Sequence, residues 1–264
     1  MKYGEYKGFT LLHLACVSGN PEIVELLLEY EKIKVNIRDG IKKWTPLQHA
    51  ISKGHSEVVS LLLNRDDIET DLLTDEGETL LHLACKSNKE DIVDMLINNP
   101  DFPTKYDLNQ RTNNQKTPLQ FALMNGNINM ISVLMNIDAT AKPKRGKKGQ
   151  KKKNSKTQSE IDPNMHTSNG KTPLIMACEM RRADIIELLL KHTEIEINDK
   201  LFNGKTALFV SCDLNIIDSV KALLNFDNID INAATKEGKT PLIAACEKGN
   251  KEIVELLIDY NNQV

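Results

Sequence analysis

The amino-acid sequence predicts an all-α solenoid built from helix-turn-helix units. One short block recurs seven times along the chain, and each copy is marked by a threonine. These threonines are Thr10, Thr45, Thr79, Thr117, Thr172, Thr206 and Thr240. Five of the six steps between them are 34 to 38 residues long, and such a period is typical of repeats that stack on their neighbours.

Each block has the features of a short helix that begins after the threonine. A leucine follows the threonine by two residues and a small residue follows it by five, so both lie on one helical face. Threonine is a good helix N-cap, and proline, which suits the first helical position, comes next in four copies. Nine residues after the threonine, six copies have Gly or Asn, which tolerate a left-handed turn. Arg181 takes this place in the fifth copy, and we expect backbone strain there.

A second apolar block follows each turn and predicts an outer helix, as in Ile253-Val254 and Leu256-Leu257-Ile258. The whole unit resembles the ankyrin repeat, whose T-P-L-H-x-A signature is echoed by Thr10-Leu11-Leu12-His13-Leu14-Ala15 and by the blocks at Thr79 and Thr240. The resemblance spans residues 8 to 260 apart from one insertion. It implies an ankyrin-repeat solenoid with short hairpin loops, and protein binding through hairpin tips and a concave inner-helix face.

The step from Thr117 to Thr172 is 55 residues, which leaves room for an insertion. We therefore predict repeats one to four over residues 1–138, a basic insertion over 139–163 and repeats five to seven over 164–264, as one continuous array. Repeat six is the least regular copy, with Ser219 where the others have Ile, Val or Met. We expect it to be the weakest internal unit.

The insertion concentrates positive charge. Nine of the fifteen residues from 142 to 156 are basic, with no acid and no large apolar residue among them. They are Lys142, Lys144, Arg145, Lys147, Lys148, Lys151, Lys152, Lys153 and Lys156. Without these charges the formal net charge falls from −3 to −12, because 25 basic residues then face 37 acidic ones.

A segment of this composition buries too little surface to offset its ordering entropy, so we predict disorder. Four interpretations stay open for this basic arm: a nuclear import signal, a contact to nucleic acid, a contact to anionic lipid, or a tolerated solvated loop. Interleaved aromatic residues are absent, which disfavours sequence-specific reading of bases.

The candidate partner-binding residues lie just before each threonine and seven to eight residues after it. They are Phe9, Trp44, Lys53, Lys86, Met124, Glu179, Met180 and Leu214. Aromatic residues at exposed, rigid positions are common binding hot spots, so Phe9 and Trp44 are the predicted anchors. In the alternative interpretation, Phe9 covers an open edge of the array and Trp44 packs on the next hairpin.

The residue patterns favour neither catalysis nor metal binding, and we predict no enzyme activity, no cofactor and no metal site. All five cysteines stand six residues after a repeat threonine, where the other two copies have Ile51 and Leu123. This periodicity indicates a core position rather than a C-x-x-C metal site. Free buried thiols suit a reducing compartment, so we expect the protein in the cytoplasm or the nucleus. We also expect a monomer. No apolar run is long enough for a membrane span.

Overall fold

The computed structural model describes residues 7–99, 107–136 and 160–263. These residues form fourteen helices in seven consecutive pairs, which confirms the predicted all-α class and the seven repeats. They divide into two compact units, one with repeats one to four and one with repeats five to seven. The basic arm, Lys142 to Lys156, lies outside the described residues, and its disorder stays a prediction.

Each repeat contributes one inner and one outer helix. In the first unit the pairs are α1 (Leu11–Ser18) with α2 (Pro21–Leu28), α3 (Pro46–Lys53) with α4 (Ser56–Leu63), α5 (Leu80–Ser87) with α6 (Glu90–Asn98), and α7 (Pro118–Asn125) with α8 (Ile128–Leu134). In the second unit they are α9 (Pro173–Glu179) with α10 (Ala183–Leu189), α11 (Ala207–Asp213) with α12 (Ile217–Leu224), and α13 (Pro241–Glu247) with α14 (Lys251–Gln263). Within each unit inner helices contact inner helices and outer helices contact outer helices.

The repeat threonines cap the inner helices as predicted, and in four repeats a second side chain completes the cap. The Thr79 hydroxyl accepts the backbone N–H of His82, and the Nδ1 of His82 accepts the N–H of Thr79. The Nε2 of His82 then donates to the carbonyl of Lys116 in the next repeat, at 3.1 Å. His13 makes the equivalent bond to Trp44 and Gln48 the equivalent bond to Leu72. Polar bridges of this kind therefore join neighbouring repeats in the first unit.

The same position holds apolar residues in the second unit. Ile175 and Phe209 are buried there, and Ile243 is 43% exposed on the last repeat. None of these three side chains has a polar atom that could bridge to a carbonyl. Neighbouring repeats of the second unit are therefore held at this position by apolar packing alone.

Two backbone positions of every repeat are left-handed. The predicted one, nine residues after the threonine, has positive φ in all seven copies, including Arg181 at +58°. The second, two residues before the threonine, was not predicted; it is Gly in five copies but Lys43 and Gln115 in the other two. Glycine suits this hairpin position because a Cβ on Gly8 would lie 2.4 Å from the nitrogen of Gly40.

The core follows the repeat register with exceptions on the last repeat. The signature leucine is at most 2% exposed in six copies, whereas Leu242 is 37% exposed. Four of the five cysteines are buried as predicted, but Cys246 is exposed. The prediction was wrong for Cys246, which lies on α13, the inner helix of the last described repeat, where no further described inner helix packs against it.

Candidate partner-binding surface

The residues just before each threonine and those seven or eight residues after it form what we call the inner surface. In every repeat of the second unit, the residue just before the threonine forms an ion pair with the residue seven positions after it. Lysine precedes the threonine and an acid ends the inner helix. The pairs are Lys171–Glu179 at 2.6 Å, Lys205–Asp213 at 2.8 Å and Lys239–Glu247 at 2.7 Å. Solvent screens such partly exposed pairs, so they contribute little to stability and define the surface more than they stabilise the fold.

Repeat three reverses the order of charges. Glu78 precedes the threonine, and Lys86 follows it by seven residues, with 2.7 Å between Glu78 Oε1 and Lys86 Nζ. The Glu78 side chain is only 4% exposed, whereas the Lys86 side chain is 55% exposed. The second carboxylate oxygen of Glu78, Oε2, is buried and has no hydrogen-bond partner within the part of the chain that the structure describes. A buried oxygen in this state is costly unless a donor reaches it.

In repeat four a methionine, Met124, stands where repeats five to seven have the acid of the ion pair. Lys116 precedes the threonine, and its Nζ lies 3.5 Å from the sulfur of Met124. Lys116 makes no ion pair with any described residue. Its ammonium lies 5.5 Å from the centre of the Phe121 ring, and that of Lys86 lies 5.9 Å from the same ring. The Phe121 ring is therefore a cation–π site between the two repeats.

Together these residues line a cleft of about 370 Å³ between the hairpins and inner helices of repeats three and four, which we call the Glu78 cleft. Its wall also includes Glu76, and Met124 at its rim is 51% exposed. Met124 and Lys86 were predicted from the sequence; Glu78 lies at one of the predicted positions, just before Thr79, but was not singled out, and Phe121 was missed. The one available signal was charge reversal: Glu78 is the only acid among the seven residues that precede a repeat threonine.

Neither of the two predicted aromatic anchors, Trp44 and Phe9, is fully exposed. Trp44 is only 7% exposed, so the prediction of an exposed anchor was wrong. Through its ring Trp44 contacts the hairpin and the inner helix of its own repeat. Its ring centre lies 5.3 Å from that of His49, and Lys42 Nζ lies 4.2 Å above it. Phe9 is half-buried, with its ring centre 5.0 Å from that of His49.

The burial of Trp44 follows from a hairpin that is one residue longer than the others. The hairpin opens at Asp39, six residues before Thr45, where the described equivalents open five residues before their threonine. The Asp39 carboxylate accepts the backbone N–H groups of Ile41 and Lys42 and the side chain of His49. These hydrogen bonds hold the pKa of Asp39 at about 2 although burial opposes this. The buried, ionised carboxylate thus fixes the loop that carries Trp44.

The remaining predicted residues lie on the inner surface. Lys53 and Glu179 are exposed, Met180 is half-buried and Leu214 is 39% exposed. The structure adds Phe202, which is 64% exposed at a hairpin tip. The sequence could have indicated this exposure, because Phe202 stands four residues before Thr206 and directly precedes the turn residues Asn203-Gly204.

The buried titratable groups are structural. Burial raises the pKa of the Cys16, Cys178 and Cys212 thiols to about 12, so they stay protonated. Burial also lowers the pKa of His82 to about 4. Within the described ranges no group of three His, Cys, Asp or Glu side chains could hold a metal ion, and no helix there has the length and apolarity of a membrane span.

Comparison with known protein families agrees with this architecture. The family profile described as ankyrin repeats (3 copies) matches residues 2–72, 64–147, 102–200, 147–235 and 192–264. Among solved structures, the ankyrin repeat domain of Bcl-3 superposes with a TM-score of 0.76 at 23% identity, covering 96% of this chain and 99% of that one. The human ASB11 ankyrin repeat domain gives a TM-score of 0.67 at 18% identity, covering 95% and 97%.

Curated relatives match over parts of their length. A tyrosine-protein kinase of Hydra vulgaris, HTK16, is 31% identical over 138 residues, which are 51% of this chain and 17% of that protein. The ankyrin repeat-containing protein C6C3.08 of Schizosaccharomyces pombe is 33% identical over 102 residues, which are 38% of this chain and 43% of that protein. The chain therefore spans less than half of either relative. The family profile covers the chain from end to end, and the chain belongs to the ankyrin repeat family.

Proposed function

We propose that this chain is a non-catalytic scaffold that holds a partner protein on its inner surface and hairpin tips. Ankyrin repeats are in general protein–protein interaction modules. One observation supports the proposal most. Framework residues such as the capping threonines recur in every repeat, whereas the inner-surface residues differ among the repeats of the first unit and between the two units. A common frame with a variable exposed surface is what specific recognition of a partner requires.

The inner surface is also suited to recognition by its chemistry. It presents lysine–acid pairs in the second unit and an aromatic cleft with a buried carboxylate in the first. Exposed apolar residues such as Met124, Leu214 and Phe202 add area that a partner can bury. Charged pairs next to apolar contacts give both orientation and affinity.

A capture experiment with matched charge reversals tests this proposal. Lys205→Glu breaks the inner-surface pair with Asp213, and Lys251→Glu makes the same change on the outer helix α14. We expect the inner-surface variant to weaken capture of a cellular partner about tenfold, and the outer-helix variant to leave it unchanged. Equal effects of the two variants would contradict the proposal.

The alternative is an adaptor that uses its basic arm to contact nucleic acid, anionic lipid or an import receptor. Its support is the charge density between Lys142 and Lys156. A chain that lacks these fifteen residues separates the two functions in the same capture experiment. Partners bound through the arm would be lost on deletion and released by salt, because exposed charges are screened.

A further inference from the structure

The Glu78 cleft carries an inference that rests on the proposed function and deepens it. We propose that this cleft is a receptor for a single arginine side chain of the partner protein, whose guanidinium is bound by Glu78 and stacked on Phe121. Three features of the cleft support it: an unsatisfied hydrogen-bond acceptor, an aromatic ring that binds cations, and lysine side chains that occupy the site in the free protein and can move away.

The acceptor is fixed and incomplete. Glu78 lines the cleft and its Oε1 accepts from Lys86, while its buried Oε2 has no hydrogen-bond partner among the described residues. The backbone on this side is held as well, because the N–H of Glu78 donates to the Thr74 hydroxyl at 3.1 Å. A ligand that brings a donor to Oε2 would supply the missing hydrogen bond. The cleft therefore selects for a donor-rich group.

The ring selects for a cation. Two lysine ammonium groups already lie within 6 Å of the centre of the Phe121 ring. The Phe121 ring itself is held edge-on against the buried His82 ring, with 5.9 Å between the centroids. A planar guanidinium can stack on such a ring and still direct N–H donors at a carboxylate, which an ammonium cannot do with the same geometry.

The side chains of Lys86 and Lys116 can move away from the Phe121 ring. Lys86 is exposed and Lys116 half-exposed, and both carry their charge on flexible stems, so they can move toward solvent when a ligand enters. The exposed thioether of Met124 then offers an apolar wall to the methylene stem of the arginine. Glu76, which also lines the cleft, adds a second carboxylate to balance the incoming charge.

A titration with a small probe tests the inference without any knowledge of the partner. N-acetyl-arginine methylamide is added to the full chain labelled with ¹³C at its methionine methyl groups, and the Met124 methyl signal is assigned with Met124→Leu. We expect a saturable shift of this signal with the arginine probe and little or none with the citrulline analogue, which has nearly the same shape but no charge. An aspartate probe that shifts the signal instead would overturn the proposal, since it would place the ligand on the lysines.

Two variants localise the binding, and one serves as control. Glu78→Gln should weaken the arginine probe about tenfold, and Phe121→Leu should weaken it while the carboxylate remains. Glu247→Gln breaks the equivalent pair of repeat seven and should leave binding unchanged. Unaltered probe binding by Glu78→Gln would refute the inference.

The same variants separate this inference from the proposed function. If Lys205→Glu abolishes partner capture but Glu78→Gln has no effect on either capture or the probe, the inner surface binds the partner and the arginine receptor is wrong. If the probe binds as expected but no inner-surface change affects capture, the proposed scaffold function is wrong.

Discussion

Replacement of His82 by glutamine should make the first unit resistant to mild acid. His82 is fully buried, and burial lowers its pKa from 6.5 to about 4. Its ring accepts one backbone N–H of its own repeat and donates to a carbonyl of the next. Gln48 occupies the same position in repeat two and makes both contacts, at 2.9 Å to Thr45 and 2.6 Å to Leu72. Glutamine is therefore a structural substitute that cannot titrate.

The direction of the effect follows from proton binding. Between about pH 6.5 and pH 4 the unfolded chain binds a proton at His82 and the folded chain does not, so acid favours unfolding. The stabilisation is complete above the unfolded pKa and is lost as the pH falls through this window. At about pH 5 the loss is about 2 kcal/mol, and below pH 4 it reaches about 3 kcal/mol. Burial also lowers the pKa of His13 and of His49, which adds to the loss in the same direction.

The assay is urea unfolding followed by tryptophan fluorescence at about pH 7.5 and about pH 5. Trp44 is the single tryptophan of the chain, and it is buried in the same unit as His82, so its emission reports the unfolding of that unit. The two proteins should have similar stability at the higher pH. At the lower pH His82→Gln should retain about 2 kcal/mol more of its stability than the unchanged chain.

A reciprocal variant serves as the control. Gln48→His introduces the titrating ring at a position that is also fully buried, and it should increase the loss of stability in acid. The reasoning is refuted if His82→Gln loses as much stability between the two pH values as the unchanged chain does. Loss of stability in His82→Gln at the higher pH would show instead that glutamine does not reproduce the bridge in repeat three.

Three further predictions concern single positions. Ser219→Val should stabilise the second unit by about 1 kcal/mol, because the Ser219 hydroxyl is buried without a partner; a lower melting temperature by circular dichroism would show that the site does not accept the larger side chain. Gln115→Gly should stabilise the first unit by about 0.5–1 kcal/mol, because Gln115 has φ of +58°; a lower urea midpoint of Trp44 fluorescence would contradict this. Cys246 should be the one thiol that reacts with a disulfide reagent in the folded chain, since the other four are buried; fast reaction of more than one thiol per chain would refute it.

The repeat frame could be predicted from the sequence because its requirements are local. A capping threonine, a leucine two residues later and a left-handed residue after nine each act within a single repeat, and seven copies show which positions are constrained. Even the departure at Arg181 was placed correctly, since the register alone determines its backbone conformation. The second left-handed position was missed because Lys43 and Gln115 obscure the glycine pattern there.

The inner surface was less predictable because its details depend on contacts between hairpins and helices. Trp44 stands in the same register position as Phe9 and Lys116, yet one additional hairpin residue and the Asp39 carboxylate bury it. The orphan oxygen of Glu78 depends on a reversed charge pair and on the cleft formed with repeat four. Register positions identify which residues share a surface, but they do not give the burial of each one.

The acid-sensitive bridge and the proposed arginine receptor share a structural element, which connects stability to recognition in this chain. The His82 side chain donates a hydrogen bond to the carbonyl of Lys116 in repeat four, and its ring packs edge-to-face with the Phe121 ring. Lys116 thus takes part in the bridge through its backbone carbonyl and lines the cleft with its side-chain ammonium. In the second unit the equivalent Ile175 and Phe209 are apolar, and no buried carboxylate oxygen of its described residues lacks a hydrogen-bond partner. The His82 bridge therefore holds the Phe121 ring and the hairpin of Lys116 beside Glu78, whose Oε2 lacks a hydrogen-bond partner among the described residues.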